Sequence, residues 1–426
     1  MLNSFFKFHP IGQGGFYTGL LDFYGSNHSQ FNFVYDCGTL SERSNLDYAI
    51  ESYKNRLCNK TIDILFISHL DDDHVNGIVD LLNGIRCQNI YLPYLTPFER
   101  LLVAIRHNPG DTDVFPNFIR FITSPHDYLL EIEGANIGRI NYIKGNSEGE
   151  FSIEKKVIDP NETNNEFTDN LDLLPQSEFN AEIASLSQNL KIAFKKANGK
   201  LNFGFLWEFY LFHEPGTFAQ IVLFRNAIHD IYGFEVDEQL SSAELVTILG
   251  NSDNLKELRK RFRAIFRNLN KTSLLVQHKP LSYKYSSINK DQYFTWNVDH
   301  YFNPSIKNFR RLINSNANPI DYSWGVTLLT GDIGLDQIEN SSYIENHLKH
   351  VQVFQVPHHG SNTGWNKRYL EKLNNKGLTS SIINFGYGNT YGHPKSIVLQ
   401  DLDNDNFDLR FCNQFESFEY RIHLYF

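Results

Sequence analysis

Apolar and polar positions change rhythm several times along this chain, most legibly near its two ends. Residues 31–35 form an apolar run that enters the turn Asp36-Cys37-Gly38, and residues 45–55 carry helical spacing. Residues 61–67 are an isoleucine-rich run of strand length, residues 75–82 return to helical spacing, and residues 89–92 read as a strand stopped by Pro93. After Lys271 the alternation resumes, with strands at 273–277, 326–329, 351–356, 380–385 and 418–426 and helices at 335–350 and 365–373. This order predicts α/β layers with chemical groups gathered where strands end.

The middle reads differently. Residues 154–182 are polar and acidic, the pattern of a surface excursion. Residues 217–269 are mostly helical, broken near Gly233 and Gly250, and Ser241-Ser242-Ala243-Glu244 matches a capping box at a helix start. We therefore expect a core built from residues 1–95 and 270–426. Residues 96–269 are expected to be a helical insertion, acting as a lid or a partner-docking region, and residues 280–322 a hairpin insertion.

Composition narrows the class. With 14% aromatic and 41% hydrophobic residues, a chain of 426 residues folds and buries one large core or two smaller ones. No apolar run is long enough to cross a bilayer and the start lacks the charged opening of a signal peptide, so a soluble, cytoplasmic protein is expected. Cys37, Cys58, Cys87 and Cys412 form no CxxC pair, which suits a reducing compartment. The net charge of −10 argues against non-specific nucleic-acid binding over the whole surface, though it leaves room for a local basic path.

Candidate chemistry sits at strand ends. In Ser68-His69-Leu70-Asp71-Asp72-Asp73-His74, imidazoles and carboxylates follow an apolar strand at a spacing that aims several donors at one point. Such nitrogen and oxygen donors suit Zn²⁺, Mn²⁺ or Fe²⁺, and a cation relieves the repulsion among the carboxylates. The plainer reading, a solvated acidic loop, fits poorly with the apolar strand that feeds straight into it. Thr330-Gly331-Asp332, Pro357-His358-His359-Gly360-Ser361 and Gly392-His393-Pro394 also follow apolar strands. Each alone could be an ordinary turn; four such sites together are harder to dismiss.

In order along the chain, these motifs resemble the metallo-β-lactamase fold. The likeness is greatest to the hydrolase domain of ComEC-type DNA-uptake proteins and their stand-alone relatives. The resemblance rests on Ile11-Gly12-Gln13-Gly14, Asp36 to Gly38, Ser68 to His74, Thr330 to Asp332, Pro357 to Ser361 and His393-Pro394. It covers roughly residues 1–95 and 270–426 and implies a four-layer αβ/βα sandwich. It also implies two divalent metal ions, zinc or manganese. His69 and Asp71 would serve one ion, Asp73 and His74 the other, with Asp332 bridging, His393 completing the second, and Asp36 orienting ligands from behind. The histidine that most fold members carry near the position of residues 270–273 is missing here; His358 or His359 is expected to replace it, and His278 lies too far along. The histidine not used as a ligand, together with Ser361, would contact a phosphate or protonate a leaving group.

The resemblance further implies hydrolysis of phosphodiesters, with nucleic acid as substrate, and a place in bacterial antiviral defence, where a protein partner is expected. Residues 256–267 form a basic helix that could track a phosphate backbone, although the same stretch carries an ordinary amphipathic stripe with Phe262, Ile265, Phe266 and Leu269. Two other readings remain open: a small-molecule hydrolase acting on a lactone, lactam, thioester or cyclic nucleotide, and a metal-binding effector that depends on a partner. Asp71, where most of the fold has histidine, is the usual residue in the ComEC-type group, and Asp72 reads as a bystander.

Overall fold

The computed structural model describes residues 1–25, 28–106, 116–145, 166–204, 206–213, 221–233, 240–265, 273–281, 292–300, 309–313, 326–335, 351–373, 380–405 and 407–424. The N-terminal strands are β1 (Leu2–Phe8), β2 (Gly14–Tyr24), β3 (His28–Thr39), β4 (Thr61–Phe66) and β5 (Arg86–Pro93). Next come β6 (Asn136–Lys144), β7 (Phe167–Asp169), β8 (Ile192–Lys196), β9 (Gly199–Phe203) and β10 (Trp207–Phe212). The C-terminal strands are β11 (Leu275–Pro280), β12 (Gln292–His300), β13 (Phe309–Ile313), β14 (Val326–Leu329), β15 (Val351–Gln355), β16 (Ser380–Asn384), β17 (Asp408–Cys412) and β18 (Glu416–Leu424).

They form two mixed sheets. One runs β13-β12-β18-β1-β2-β3-β4-β5-β6-β8 and the other β17-β16-β15-β14-β11-β10-β9-β7. In the first, β3, β4, β5, β6 and β8 are parallel neighbours; in the second, β14, β15, β16 and β17 are. The central parallel strands β14, β15 and β16 are buried throughout, whereas β5, β6, β8 and β17 keep exposed or half-buried positions. Within β3 and β4, Phe33, Tyr35, Ile64 and Phe66 pack toward the other sheet, where they meet Phe209, Val276, Leu329 and Val353. The alternate residues Val34, Leu65 and Ile67 pack into a second core.

That second core is covered by α1 (Arg43–Arg56), α3 (Ile78–Leu82), α4 (Pro97–Arg106), α5 (Pro116–Thr123), α6 (Pro125–Leu130), α8 (Ile221–Tyr232), α9 (Ser242–Leu249) and α10 (Ser252–Ile265). On the far side of the other sheet, Tyr369, Leu370 and Leu373 of α11 (Lys367–Leu373) and Val398 and Leu402 of α12 (Ser396–Asn404) close a third core. The result is an α/β sandwich layered helix, sheet, sheet, helix.

Residues 96–269 were expected to be mostly helical. Helices α4 to α10, including the short α7 (Ala181–Leu186), do predominate there, but the segment also supplies β6 to β10, which extend both sheets. β7, β8 and β9 span only three to five residues each, too few for a clear period-2 signal. The capping box is formed: Ser241 Oγ accepts the Glu244 N–H, and Glu244 bonds back to the Ser241 N–H. β12 pairs antiparallel with both β13 and β18, so β13 forms the edge of the first sheet. The expected helix at 335–350 lies, beyond Leu335, outside the described residues, as do residues 154–165 of the polar excursion. Among the described residues, no helix is long and apolar enough to cross a membrane.

Candidate metal centre

The carboxyl ends of β3, β4, β14, β15 and β16 meet at one edge of the sandwich, the position where parallel α/β sheets gather ligands. Beyond β4, His69 to Asp71 are extended, and Asp72–Val75 wind into the single turn α2, so half of the expected loop is helical. Leu70 and Val75 are buried in the helix-side core and pin this segment from both ends. The turn brings His69, Asp73 and His74 together. Asp72 instead accepts a hydrogen bond from Asn76 Nδ2 at 3.1 Å.

Asp36 lies behind them. Tyr17 pairs with Tyr35 and Phe16 with Cys37, which leaves Asp36 as the extra residue of a β-bulge, with φ of 59°. Fully buried, it accepts the Ser68 N–H and Oγ–H, both at 2.6 Å, and the His74 Nδ1–H at 2.8 Å. Ser68 Oγ, having donated to Asp36, accepts from His69 Nδ1 at 2.7 Å. Both imidazoles are thereby fixed with Nδ1 protonated and Nε2 turned to the cluster. Gly15 allows this packing: a Cβ there would lie 2.7 Å from His74 Nδ1.

The second sheet supplies the other half. After β14, the Gln355 side chain accepts the Thr330 N–H at 3.0 Å, and Gly331 takes φ of +54° with its Cα against Ser68, where a Cβ would come within 2.8 Å. The Asp332 N–H donates to Ser273 Oγ at 3.2 Å. After β15, His358 and His359 both adopt left-handed conformations, φ 50° and 54°, which breaks the strand alternation that would point them to opposite sides. His359 Nδ1 donates to the Asn384 carbonyl at 2.9 Å, which leaves Nε2 facing Asp73 Oδ2 at 3.2 Å and Asp332 Oδ1 at 3.7 Å.

Across the gap, His69 Nε2 is 3.7 Å from Asp71 Oδ2 and 3.8 Å from Asp332 Oδ2, and His74 Nε2 is 3.4 Å from Asp332 Oδ1. Among the described residues, three overlapping groups bring their donor atoms within 4.8 Å of one another: His69, Asp73 and His74; His74, Asp332 and His359; His69, Asp71 and Asp332. His69 Nε2, His74 Nε2 and Asp332 Oδ1 are buried without a hydrogen-bond partner. Orphaned buried donors and acceptors of this kind are costly, and a cation satisfies all three. The residues present therefore fit a metal ion.

The electrostatics follow from the packing. Burial favours neutral imidazole at His74 and His359, but carboxylates outweigh it and raise both: Asp36 and Asp73 at His74, Asp332 and Asp73 at His359. Burial likewise opposes ionisation of Asp73 and Asp332, yet neighbouring imidazoles hold both below the usual carboxylate range. His69 and His358 are lowered, chiefly by burial, and His393 is pushed down to about 4 by burial and then by His358 and His359.

Six expected ligands thus converge: His69, Asp71, Asp73, His74, Asp332 and His359. His358 is nearby, its Nε2 3.9 Å from Asp332 Oδ2. His393 stands farther out, its ring 5.5 Å from His358 and 6.5 Å from His359, and it belongs to none of the three groups. Ser361 Oγ accepts the Thr363 N–H at 3.1 Å, as an ordinary turn hydroxyl does. His278 is remote, buried between the sheets and bonded to Tyr17 Oη at 2.8 Å.

Several contributors were not legible in sequence. Gln355, Ser273 and the Asn384 carbonyl hold the ligands through contacts between strands. His213, buried one residue past β10, belongs to the strand next to β11, where residues 270–273 offered no histidine. Arg106, the last residue of α4, places Nη2 2.6 Å from Asp71 Oδ2. The basic helix is α10; its Leu255, Leu258 and Phe262 are core, and Arg261 pairs with Asp230 at 2.8 Å and Glu257 at 3.4 Å.

Fold and site together define an α/β sandwich protein with a buried histidine–aspartate cluster able to hold a metal ion. No protein-family model matches the chain, and no curated protein matches it.

Proposed function

We propose that this chain is a metallo-β-lactamase-type hydrolase that uses two divalent ions, zinc or manganese, to cleave phosphodiesters, with nucleic acid as the substrate. One observation carries the reading: Asp332 turns Oδ2 toward His69 at 3.8 Å and Oδ1 toward His74 and His359 at 3.4 and 3.7 Å, so a single carboxylate faces both halves of the cluster. In this reading His69, Asp71 and Asp332 hold one ion, and Asp73, His74, His359 and Asp332 the other. Bound there, divalent ions supply Lewis-acid activation of water and of a phosphoryl oxygen.

The chain's own residues do the rest. Asp36, Ser68 and the Asn384 carbonyl hold three imidazoles in the tautomer that presents Nε2. In this reading His358, less buried than His359 and beside His393, would contact the phosphate or protonate the leaving group. The alternative of a small-molecule substrate, a lactone, lactam, thioester or cyclic nucleotide, draws support only from the net charge of −10.

The test offers purified protein, loaded with Mn²⁺ or Zn²⁺, to single-stranded DNA, duplex DNA, RNA and a generic phosphodiester, beside a His69→Ala, Asp73→Ala control. Polymer cleavage that disappears in the control is the expected result. Turnover of lactone or lactam esters alone would sink the nuclease reading, and no metal uptake by calorimetry would sink the hydrolase.

A further inference from the structure

Arg106 is not accounted for by metal binding alone. It ends α4, which is anchored by Phe98, Leu101, Leu102 and Ile105 in the helix-side core, so its backbone is firmly placed. About a third of its side chain is open to solvent. Its Nη2 bonds to Asp71 Oδ2, the same oxygen that faces His69 Nε2 at 3.7 Å. Among the described residues, it is the one lysine or arginine ion-paired to a member of the cluster. Its charge also reaches His358 and Tyr391, on the more open side of the site.

An arginine on a metal-ligating carboxylate weakens that carboxylate's donation, so its presence calls for another role. Charge supplies one. Asp36, Asp71, Asp73 and Asp332 together balance two divalent ions, and Arg106 then leaves the site with one positive charge in excess. A phosphodiester carries a single negative charge. The ion pair with Asp71 runs through Nη2, and a guanidinium has five N–H donors in a planar fork suited to phosphate oxygens.

We propose that Arg106 is the anion-binding residue of this site, held in place by Asp71 and donating to a non-bridging oxygen of a phosphodiester. The proposal rests on the phosphodiesterase reading for its substrate and on the Arg106–Asp71 geometry for its site.

Arg106→Ala and Arg106→Lys test it, each compared with the full-length protein for Mn²⁺ affinity by calorimetry, binding of inorganic phosphate, and kcat and KM on bis(4-nitrophenyl) phosphate. A lost charge-assisted hydrogen bond predicts phosphate binding weakened about 10- to 100-fold in Arg106→Ala, with KM raised more than kcat is lowered. Arg106→Lys recovers part of the loss, and added guanidinium restores phosphate binding to Arg106→Ala. Mn²⁺ affinity holds or rises in Arg106→Ala, because Asp71 no longer shares its charge with a guanidinium. Unchanged phosphate binding overturns the proposal. So does an equal fall in metal and phosphate affinity, which would make Arg106 merely a support for Asp71. If the wild type cleaves no diester but binds phosphate through Arg106, the hydrolase reading fails and the anion site stands.

Discussion

At the scale of single residues, the site depends on how its imidazoles are held. Asp36 accepts three hydrogen bonds while fully buried, so Asp36→Ala strands the Ser68 and His74 donors. The expected loss is about 3–5 kcal/mol of stability in urea unfolding, with metal affinity weakened about 10- to 100-fold. Asp71 is a harder oxygen donor where a histidine would be softer, so Asp71→His should shift metal preference from Mn²⁺ toward Zn²⁺ in competition calorimetry; an unchanged preference would count against its role as a ligand. The protons follow a clear sign. His74 and His359 are raised above 6.5, so their charged pairs with carboxylates contribute stability in full below that pH and lose it as pH rises through the raised values. A divalent ion must displace the same protons, and its affinity should climb with pH over that window. Asp73 and Asp332 are already ionised there and add no slope. Calorimetry in buffers of different ionisation enthalpy counts the protons released.

At the scale of elements, close approach of backbone to ligand sets the constraints. The start of β2 lies against His74, and Gly15→Ala would drive a Cβ into its Nδ1. The expected cost is about 1–3 kcal/mol in thermal or urea unfolding, accompanied by weakened metal binding. The strands β4 and β14 were readable almost residue for residue, since Ile62, Ile64, Leu65 and Phe66 in one and Val326, Leu328 and Leu329 in the other are all buried. The extra residue in β3 was not. A bulge depends on what pairs across the ladder, and the neighbouring β2 settles it. The basic stretch in α10 illustrates the reverse case: Leu255, Leu258 and Phe262 repeat at helical spacing and face the core, while the Arg261 charge is spent on Asp230 and Glu257.

At the scale of the whole molecule, two sheets packed face to face join ligands that lie far apart in sequence, such as Asp73 and Asp332. Metal binding should therefore stabilise the entire sandwich. At a free metal concentration about 100 times the dissociation constant, a gain near 2.7 kcal/mol is expected, read as a raised unfolding temperature that His69→Ala with Asp73→Ala abolishes. Chelation should remove the gain in the wild type and leave that double variant unmoved.

Sequence alone indicated the histidine–aspartate segments that the fold gathers, that most of them follow a strand, and that the layers are α/β. Those are local facts, written in hydrophobic period and in adjacent donor residues such as His69, Asp71, Asp73 and His74. Only the tertiary structure decided that His359 joins them more closely than His393, that residues 96–269 build strands as well as helices, and that Arg106 and His213 stand at this edge. Each of these depends on contacts between segments distant in the chain, for which no local pattern exists. The cluster from Ser68 to His74 could be found in one dimension, but its partners could be counted only in three.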